Sequence, residues 1–260
     1  MTKVVLITGA NRGLGYAVLQ VAGSREPSTT FILCSRDLES GEKAKSQLEQ
    51  EGISAAIDVL RLDVTNDDQI MEAIQHVTVK YGKLDVLINN AGMISIIPDY
   101  SLTSLRRCCS EMCSVNLVSV AVVSTGFAKL LQKAAKPRVI NVTSGLGSIQ
   151  NTLTQQMTRY APYGISKVGV NGVTAHLQAM EIDRMIKAGV DPKTKPVGFI
   201  NYYSVAPGLL KTALTKFKEG GLNPKVGAEV IVELIADDEA KYDGGSHLEF
   251  KDGEMKHVPW

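Results

Sequence analysis

Residues 4–15, VVLITGANRGLG, constrain the fold of this chain more than any other stretch. A short β-branched run feeds into Gly9, Gly13 and Gly15 and then into an apolar-periodic segment, so a strand turns directly into a helix. Glycines let the backbone turn sharply and let a ligand approach the main chain. The helix start behind them offers unpaired N–H groups and the favourable end of a dipole to an anion. After the first strand of an alternating chain, such a turn reads as a pyrophosphate cradle. The glycines are spaced by three residues and then one, whereas the standard dinucleotide fingerprint places one and then two.

Alternation does follow. Apolar runs bounded by turn signals recur near 3–8, 30–35, 57–62, 85–89, 138–143, 197–206 and 246–250, and helical spacing fills 40–52, 66–82 and 163–189 between them. Strands alternating with helices imply a parallel sheet covered on both faces. The expectation is a single α/β domain over residues 1–260, a Rossmann-type doubly wound parallel sheet of about seven strands. A chain of 260 residues with 44% hydrophobic side chains can bury one core of that size. Asp37 and Asn66 stand where helix N-caps belong, and Gly52, Gly82 and Gly189 follow helix ends. Only residues 208–223, GLLKTALTKFKEGGLN, break the rhythm, and they read as a lid over a site.

The totals narrow the partners. With 28 basic and 27 acidic side chains the formal charge is +1, so no long-range field recruits nucleic acid or an acidic membrane surface. The apolar run in MTKVVLITGA is too brief for a signal-peptide core, and no stretch approaches eighteen apolar residues; the expected setting is the cytoplasm. Cys34, Cys108, Cys109 and Cys113 form neither paired CxxC motifs nor a zinc-spaced cluster, and His76, His176, His247 and His257 are scattered. No metal is expected, and a small molecule is the expected partner.

The second half of a dinucleotide is read at the end of the next strand. An acidic residue there binds the ribose 2′-hydroxyl of NAD, while an arginine accommodates the 2′-phosphate of NADP. This chain has Ser35 and Arg36 at that place, and Arg12 inside the glycine turn adds a second cation. Asp37 lies one residue past the expected contact and reads as a helix cap. NADP(H) is therefore the expected cofactor.

A lysine with two upstream tyrosines marks the chemistry, in the segment TRYAPYGISK. Tyr163 is four residues before Lys167 and so about 6 Å along a helix axis, whereas Tyr160 is seven residues before it, roughly 10 Å away. Pro162 favours a helix that begins near it and leaves Tyr160 in the approach loop. Only Tyr163 shares a small site with the lysine.

With TGANRGLG, LDV at 62–64, NNAG at 89–92, Asn116, NVTS at 141–144, YGISK at 163–167 and APG at 206–208 in this order, residues 3–251 resemble the classical short-chain dehydrogenase/reductase family. Arg12 and Arg36 make the chain look like its NADPH-dependent carbonyl reductases. The resemblance implies a catalytic tetrad of Asn116, Ser144, Tyr163 and Lys167, with Asn116 positioning a water that links Lys167 to solvent. It implies that Gly9, Asn11, Arg12, Gly13, Leu14 and Gly15 line the cofactor with Ser35 and Arg36, and that Asp63 and Val64 flank the adenine. Asn90, Ala91 and Gly92 run along the cofactor, Pro207, Gly208 and Leu210 lie by the nicotinamide with Thr212 on its carboxamide, and Tyr163 and Lys167 touch it as well. One departure is the connection from Ser144 to Tyr163, nineteen positions long, which implies a small insertion at the mouth of the site. Thr143 and Ser148 are read as structural.

Reducing a carbonyl by hydride places negative charge on its oxygen, so the site must stabilise that oxygen and supply a proton. Tyr163 suits this if Lys167 and an oxidised nicotinamide lower its pKa from near 10. The expected function is NADPH-dependent reduction of a ketone, aldehyde or quinone. The alternatives are an NADP-dependent alcohol dehydrogenase working oxidatively and a catalytically idle NADPH-binding regulatory protein. Ile94, Ile96, Ile97, Leu146, Ile149, Leu209 and Leu214 suggest an apolar substrate pocket. The helices near 101–135 and 161–188 include VNLVSVAVVSTGFAKLLQ, apolar on more faces than a surface helix needs, so a homo-oligomer, dimer or tetramer, is expected.

Overall fold

The computed structural model describes residues 2–99, 101–157 and 160–260. β1 (Val4–Ile7), β2 (Thr30–Ser35), β3 (Ala56–Arg61), β4 (Val86–Asn89), β5 (Arg138–Val142), β6 (Asn201–Val205), β7 (His247–Lys251) and β8 (Glu254–His257) form one sheet in the order β3-β2-β1-β4-β5-β6-β7-β8. The first seven pair in parallel, and β8 folds back antiparallel on β7. The helices are α1 (Gly13–Arg25), α2 (Leu38–Gln50), α3 (Asp67–Lys80), α4 (Leu102–Cys113), α5 (Ser119–Leu131), α6 (Ile149–Thr154), α7 (Ala161–Lys187) and α8 (Pro224–Ala236).

The inner strands read as continuous apolar runs because both sheet faces are covered. Within β1, Val5 and Ile7 enter one core with Val18, Leu19 and Phe31, while Val4 and Leu6 enter the opposite core with Phe127 and Leu131. That is the period-two alternation of a strand shared between two layers. The chain lays β2 and β3 on one side of β1 and then crosses to lay β4 on the other, so the order reverses between β1 and β4. In such sheets the crevice at the strands' C-terminal ends, at that switch, is where ligands bind.

The N-terminal ends of the strands are closed by matched charge. Asp85 accepts from the Val4 N–H at 2.8 Å and pairs with Lys83 at 2.7 Å. Lys3 pairs with Glu26 at 3.1 Å and donates to the Ile235 carbonyl at 2.9 Å. The Arg138 guanidinium is buried and donates to the Leu234 and Ile235 carbonyls, which satisfies the last turn of α8.

Three expectations need correction. The sixth strand starts at Asn201 rather than 197, because residues 196–200 make a turn in which Gly198 has φ +78° and Phe199 N–H donates to the Pro196 carbonyl. β8 was not foreseen, although Asp252 and Gly253, both at positive φ, form the Asp-Gly hairpin turn that joins it to β7. Finally, although it holds no unbroken stretch of eighteen apolar residues, the helical run over residues 102–131 is long and, by mean hydropathy, apolar enough to cross a membrane. The core helix of a soluble fold meets the same criterion, and Val123, Phe127 and Leu131 of this run pack against the sheet.

Candidate active site

The glycine turn sits at the β1–β4 switch. Gly9 and Gly13 both take positive φ, +61° and +63°. A Cβ on Gly15 would stand 2.6 Å from Asn90 Nδ2 and 2.8 Å from Ala10 Cα, so only glycine fits there. Thr8, which the sequence reading did not single out, stitches the two strand ends together. Its Oγ1 accepts from the Asn90 and Ala91 N–H groups, each at 3.0 Å. Asn90 in turn donates its Nδ2 to the Thr8 and Gly9 carbonyls at 2.8 and 3.0 Å, so its side chain shapes the turn rather than reaching out from it. Asn11 and Leu14 are half-buried in the turn. Arg12 holds the N-cap position of α1 in extended backbone without a side-chain cap, and its own side chain is exposed. The first-turn N–H groups of α1 thus have no capping side chain among the described residues, which suits an incoming phosphate.

At the next strand end Ser35 is buried and Arg36 exposed, while Asp37 caps α2 as expected, accepting from Ser40 N–H at 3.0 Å. Hydrogen bonds from Ser40, with a smaller contribution from Arg61, hold the Asp37 carboxyl below its ordinary value. Arg61 is a third exposed cation here and was missed, because only the β2–β3 register, Ser35 beside Arg61, brings it to this corner. Against the upward push of partial burial, hydrogen bonds from Thr65 and the charge of Arg36 hold Asp63 low. Val64 beside it is buried.

Ser144 follows β5, and Tyr163 and Lys167 face it from the first turns of α7. The helix starts at Ala161, and Tyr160 stands outside it with φ +60° and 46% of its surface exposed. Lys167 Nζ is buried, donates to the Val142 carbonyl at 2.7 Å and lies 5.6 Å from the centre of the Tyr163 ring. A Cβ on Gly92 would stand 3.3 Å from Asn116 Oδ1 and 3.9 Å from Lys167 Nζ, so Gly92, Asn116 and Lys167 converge.

Asn116 is held firmly by its surroundings. It lies in a π turn, Ser114–Val118, that joins α4 to α5, and its carboxamide makes three hydrogen bonds. Oδ1 accepts from Met93 N–H at 2.8 Å, while Nδ2 donates to the Met93 carbonyl at 2.9 Å and to Ser166 Oγ at 3.0 Å. The side chain therefore clamps the segment after Gly92 to α7.

Burial sets the electrostatics of this pair. Burial pushes the Tyr163 phenol up to about 12, against the Ser144 hydroxyl, which pulls it down. Burial likewise pushes the Lys167 ammonium down to about 8. Desolvation, which the sequence does not display, dominates both shifts.

The inner face of α7 is polar, and its bonds fix the helix against the sheet. Thr143 Oγ1 donates to the Lys167 carbonyl at 3.1 Å, Asn171 Nδ2 to the Gly147 carbonyl at 3.0 Å, and Gln178 and Glu181 accept from Tyr202 and Ile200 N–H groups at 2.8 and 2.9 Å. Ser148 Oγ caps α6 by accepting from Asn151 N–H. In one row across the sheet, Asn89 Nδ2 donates to Asn141 Oδ1 at 2.8 Å, and Asn141 Nδ2 and Ser204 Oγ both meet Thr174 Oγ1 at 2.9 Å. This buried chain sets α7 relative to β4, β5 and β6.

Residues 208–223 leave β6 at Pro207 and Gly208 and are closed at their base by Lys211 and Leu222 N–H groups donating to the Leu222 and Leu209 carbonyls, each at 2.8 Å. Leu210 is buried against Gly227. Thr212 is buried too, its methyl 3.7 Å from where a Gly13 Cβ would be, so the segment reaches the glycine turn. Two of the apolar residues expected to line a substrate pocket share one groove. Leu146 and Ile149 join Leu153, Met157, Ile165 and Val168 in a groove of about 370 Å³ between α6 and α7, whereas Ile94, Ile96, Ile97, Leu209 and Leu214 stand outside it.

Comparison with known proteins agrees with this arrangement. A short-chain dehydrogenase/reductase of Aspergillus fumigatus is 50% identical over 260 residues, spanning 99% of this chain and 97% of that protein. A 3-oxoacyl-[acyl-carrier-protein] reductase of Thermotoga maritima is 31% identical over 92% of each chain. The NADPH-bound carbonyl reductase from chicken fatty liver shares the fold with a TM-score of 0.76 at 22% identity, over 100% of this chain and 99% of that one. Residues 3–221 match the family described as short chain dehydrogenase, and with the glycine turn, Ser144, Tyr163 and Lys167 in place the chain belongs to the classical short-chain dehydrogenase/reductases, oxidoreductases that use a nicotinamide dinucleotide.

Proposed function

We propose that this protein is an NADPH-dependent reductase of a small hydrophobic ketone, aldehyde or quinone, with Tyr163 as general acid. The observation that carries the reading is the meeting of Ser144, Tyr163 and Lys167 beside Gly92, two strands from the glycine turn. Arg12, Arg36 and Arg61, all exposed, favour a 2′-phosphate over a bare hydroxyl. The Thermotoga relative is by name a reductase of a 3-oxoacyl group, which is a ketone.

The residues fit such a cofactor. Gly9, Gly13 and the α1 N-terminus would hold the pyrophosphate, Asp63 and Val64 would border the adenine, and Ala91, Gly92, Pro207, Gly208 and Thr212 would border the nicotinamide end. When bound, the reduced nicotinamide supplies a hydride to the substrate carbon. Ser144 donates a hydrogen bond to the substrate oxygen, and Tyr163 donates the proton. A phenol pushed up to about 12 enters neutral pH protonated, as a proton donor must. Lys167, when charged, steadies the phenolate left behind. Residues 208–223 serve as the lid of a single domain, and the protein works in the cytoplasm as a dimer or tetramer through the outer faces of the π turn, α5 and α7, where Val118, Val122 and Ile165 are exposed.

Steady-state assays over a panel of apolar carbonyls, with NADPH and NADH, test the reading. Turnover with NADPH well above NADH is expected. Alcohol oxidation outrunning reduction at neutral pH would favour the dehydrogenase reading, and tight NADPH binding without turnover the regulatory one.

A further inference from the structure

We infer that Trp260 is a positioning residue for the substrate side of the site, a role that rests on the carbonyl-reducing reading above. β7 is staggered in the sheet: only its first two residues pair with β6, His247 with Ser204 and Leu248 with Val205. The rest of β7 and its partner β8 therefore run past the end of β6 that faces the site. The returning chain adds one more bond, Val258 N–H to the His247 carbonyl at 2.8 Å, and Val258 is buried.

Trp260 then ties this hairpin to the insertion between Ser144 and Tyr163. Its carbonyl accepts the Gln150 N–H, in the first turn of α6, at 3.0 Å. Its indole stacks on the His247 ring, 5.5 Å between centres and 29° between planes. His247 is 1% exposed and anchored in a core strand, so the indole rests on a fixed platform. A helix of six residues does not hold its own shape in water and takes its place from its ties. Those ties are the Ser148 cap, the Asn171 bond to Gly147 and Trp260. α6 begins five residues after Ser144, and its Ile149 lines the groove against α7 with Leu146, whose N–H donates to Ser144 Oγ at 3.2 Å, so Trp260 sets one wall of a groove tied to Ser144.

The test compares wild type, Trp260→Ala and Trp260→Phe by hydrogen exchange over residues 149–154 and by steady-state reduction of acetophenone and propanal at saturating NADPH. Trp260→Ala is expected to speed exchange at Gln150 and raise KM for acetophenone about fivefold, with kcat and the NADPH Kd within about twofold; Trp260→Phe restores both. Unchanged exchange overturns the inference, as does faster exchange with unchanged KM. A parallel loss of NADPH affinity also overturns it, because it would mean general loosening. If the wild type reduces no carbonyl, the functional reading falls by itself and the exchange data still decide whether Trp260 holds α6.

Discussion

At the N-terminal ends of the strands, charged groups meet partners: Lys3 with Glu26, Lys83 with Asp85, Arg138 with the carbonyls that end α8. At the C-terminal ends Arg12, Arg36 and Arg61 are exposed and make no ion pair among the described residues, and the α1 N-terminus has no capping side chain. Both ends belong to one sheet and share its cores. The difference teaches where binding energy is held back: a saturated end contributes to folding alone, whereas an unsaturated one keeps donors and charge for a ligand. Beneath the open end the polar chain from Asn89 to Thr174 is satisfied, so the reserve is confined to the outermost layer.

Substitutions at the two ends should therefore separate activity from stability. The largest effect is expected from Tyr163→Phe, which should lower kcat by about 100-fold or more while NADPH still binds, whereas Tyr160→Phe stays within a few fold. Stopped-flow hydride transfer and cofactor titration check this, and a dead Tyr160 variant beside an active Tyr163 one would reverse the assignment. Arg36→Asp should weaken NADPH roughly 30-fold and NADH only a few fold, with an unchanged melting temperature. Equal losses for both cofactors would break the idea that this corner reads the 2′-phosphate.

At the other end, Arg138→Met should cost about 2 kcal/mol in urea unfolding by leaving the α8 carbonyls unmet, with no change in NADPH Kd. A changed Kd would mean the two ends are coupled. The smallest effect concerns His247, at the staggered edge. Burial pushes its pKa down to about 4, although the nearby Pro259 main chain pulls upward, and neither ring nitrogen has a well-formed hydrogen bond. Between pH 6.5 and about 4 the unfolded chain takes up a proton that the folded chain refuses, so stability falls as pH falls through that window. From pH 7.5 to 5.5 the loss is about 1 kcal/mol, and His247→Phe should remove it from the pH dependence of unfolding.

Periodicity made the sheet legible, and residue order made the site legible, because strand ends and helix starts follow one another at fixed places in an alternating chain. Pro162 placed the α7 start within one residue. What escaped depended on neighbours distant in sequence. Arg61 needed the β2–β3 register, and the engagement of Asn116 needed a π turn that no local pattern announces. The upward shift of Tyr163 needed its burial, and the link from Trp260 to Gln150 needed the stagger of β7. β8 had its Asp-Gly signal, but Glu254 to His257 lack the apolar alternation that reveals a strand.

The packing of α1 on α8 bears on how this chain is made. Arg25 and Glu229 share two bonds of 2.8 Å across a sequence separation of 204 residues, and Val18 and Leu19 share a core with Val230 and Ile231. The apolar face of α1 leaves the ribosome early and waits for a helix synthesised near the end. Closing so long a loop is slow, and an uncovered apolar face invites association in the meantime. During synthesis the glycine turn thus rides on a helix whose cover is complete only once residue 236 has emerged.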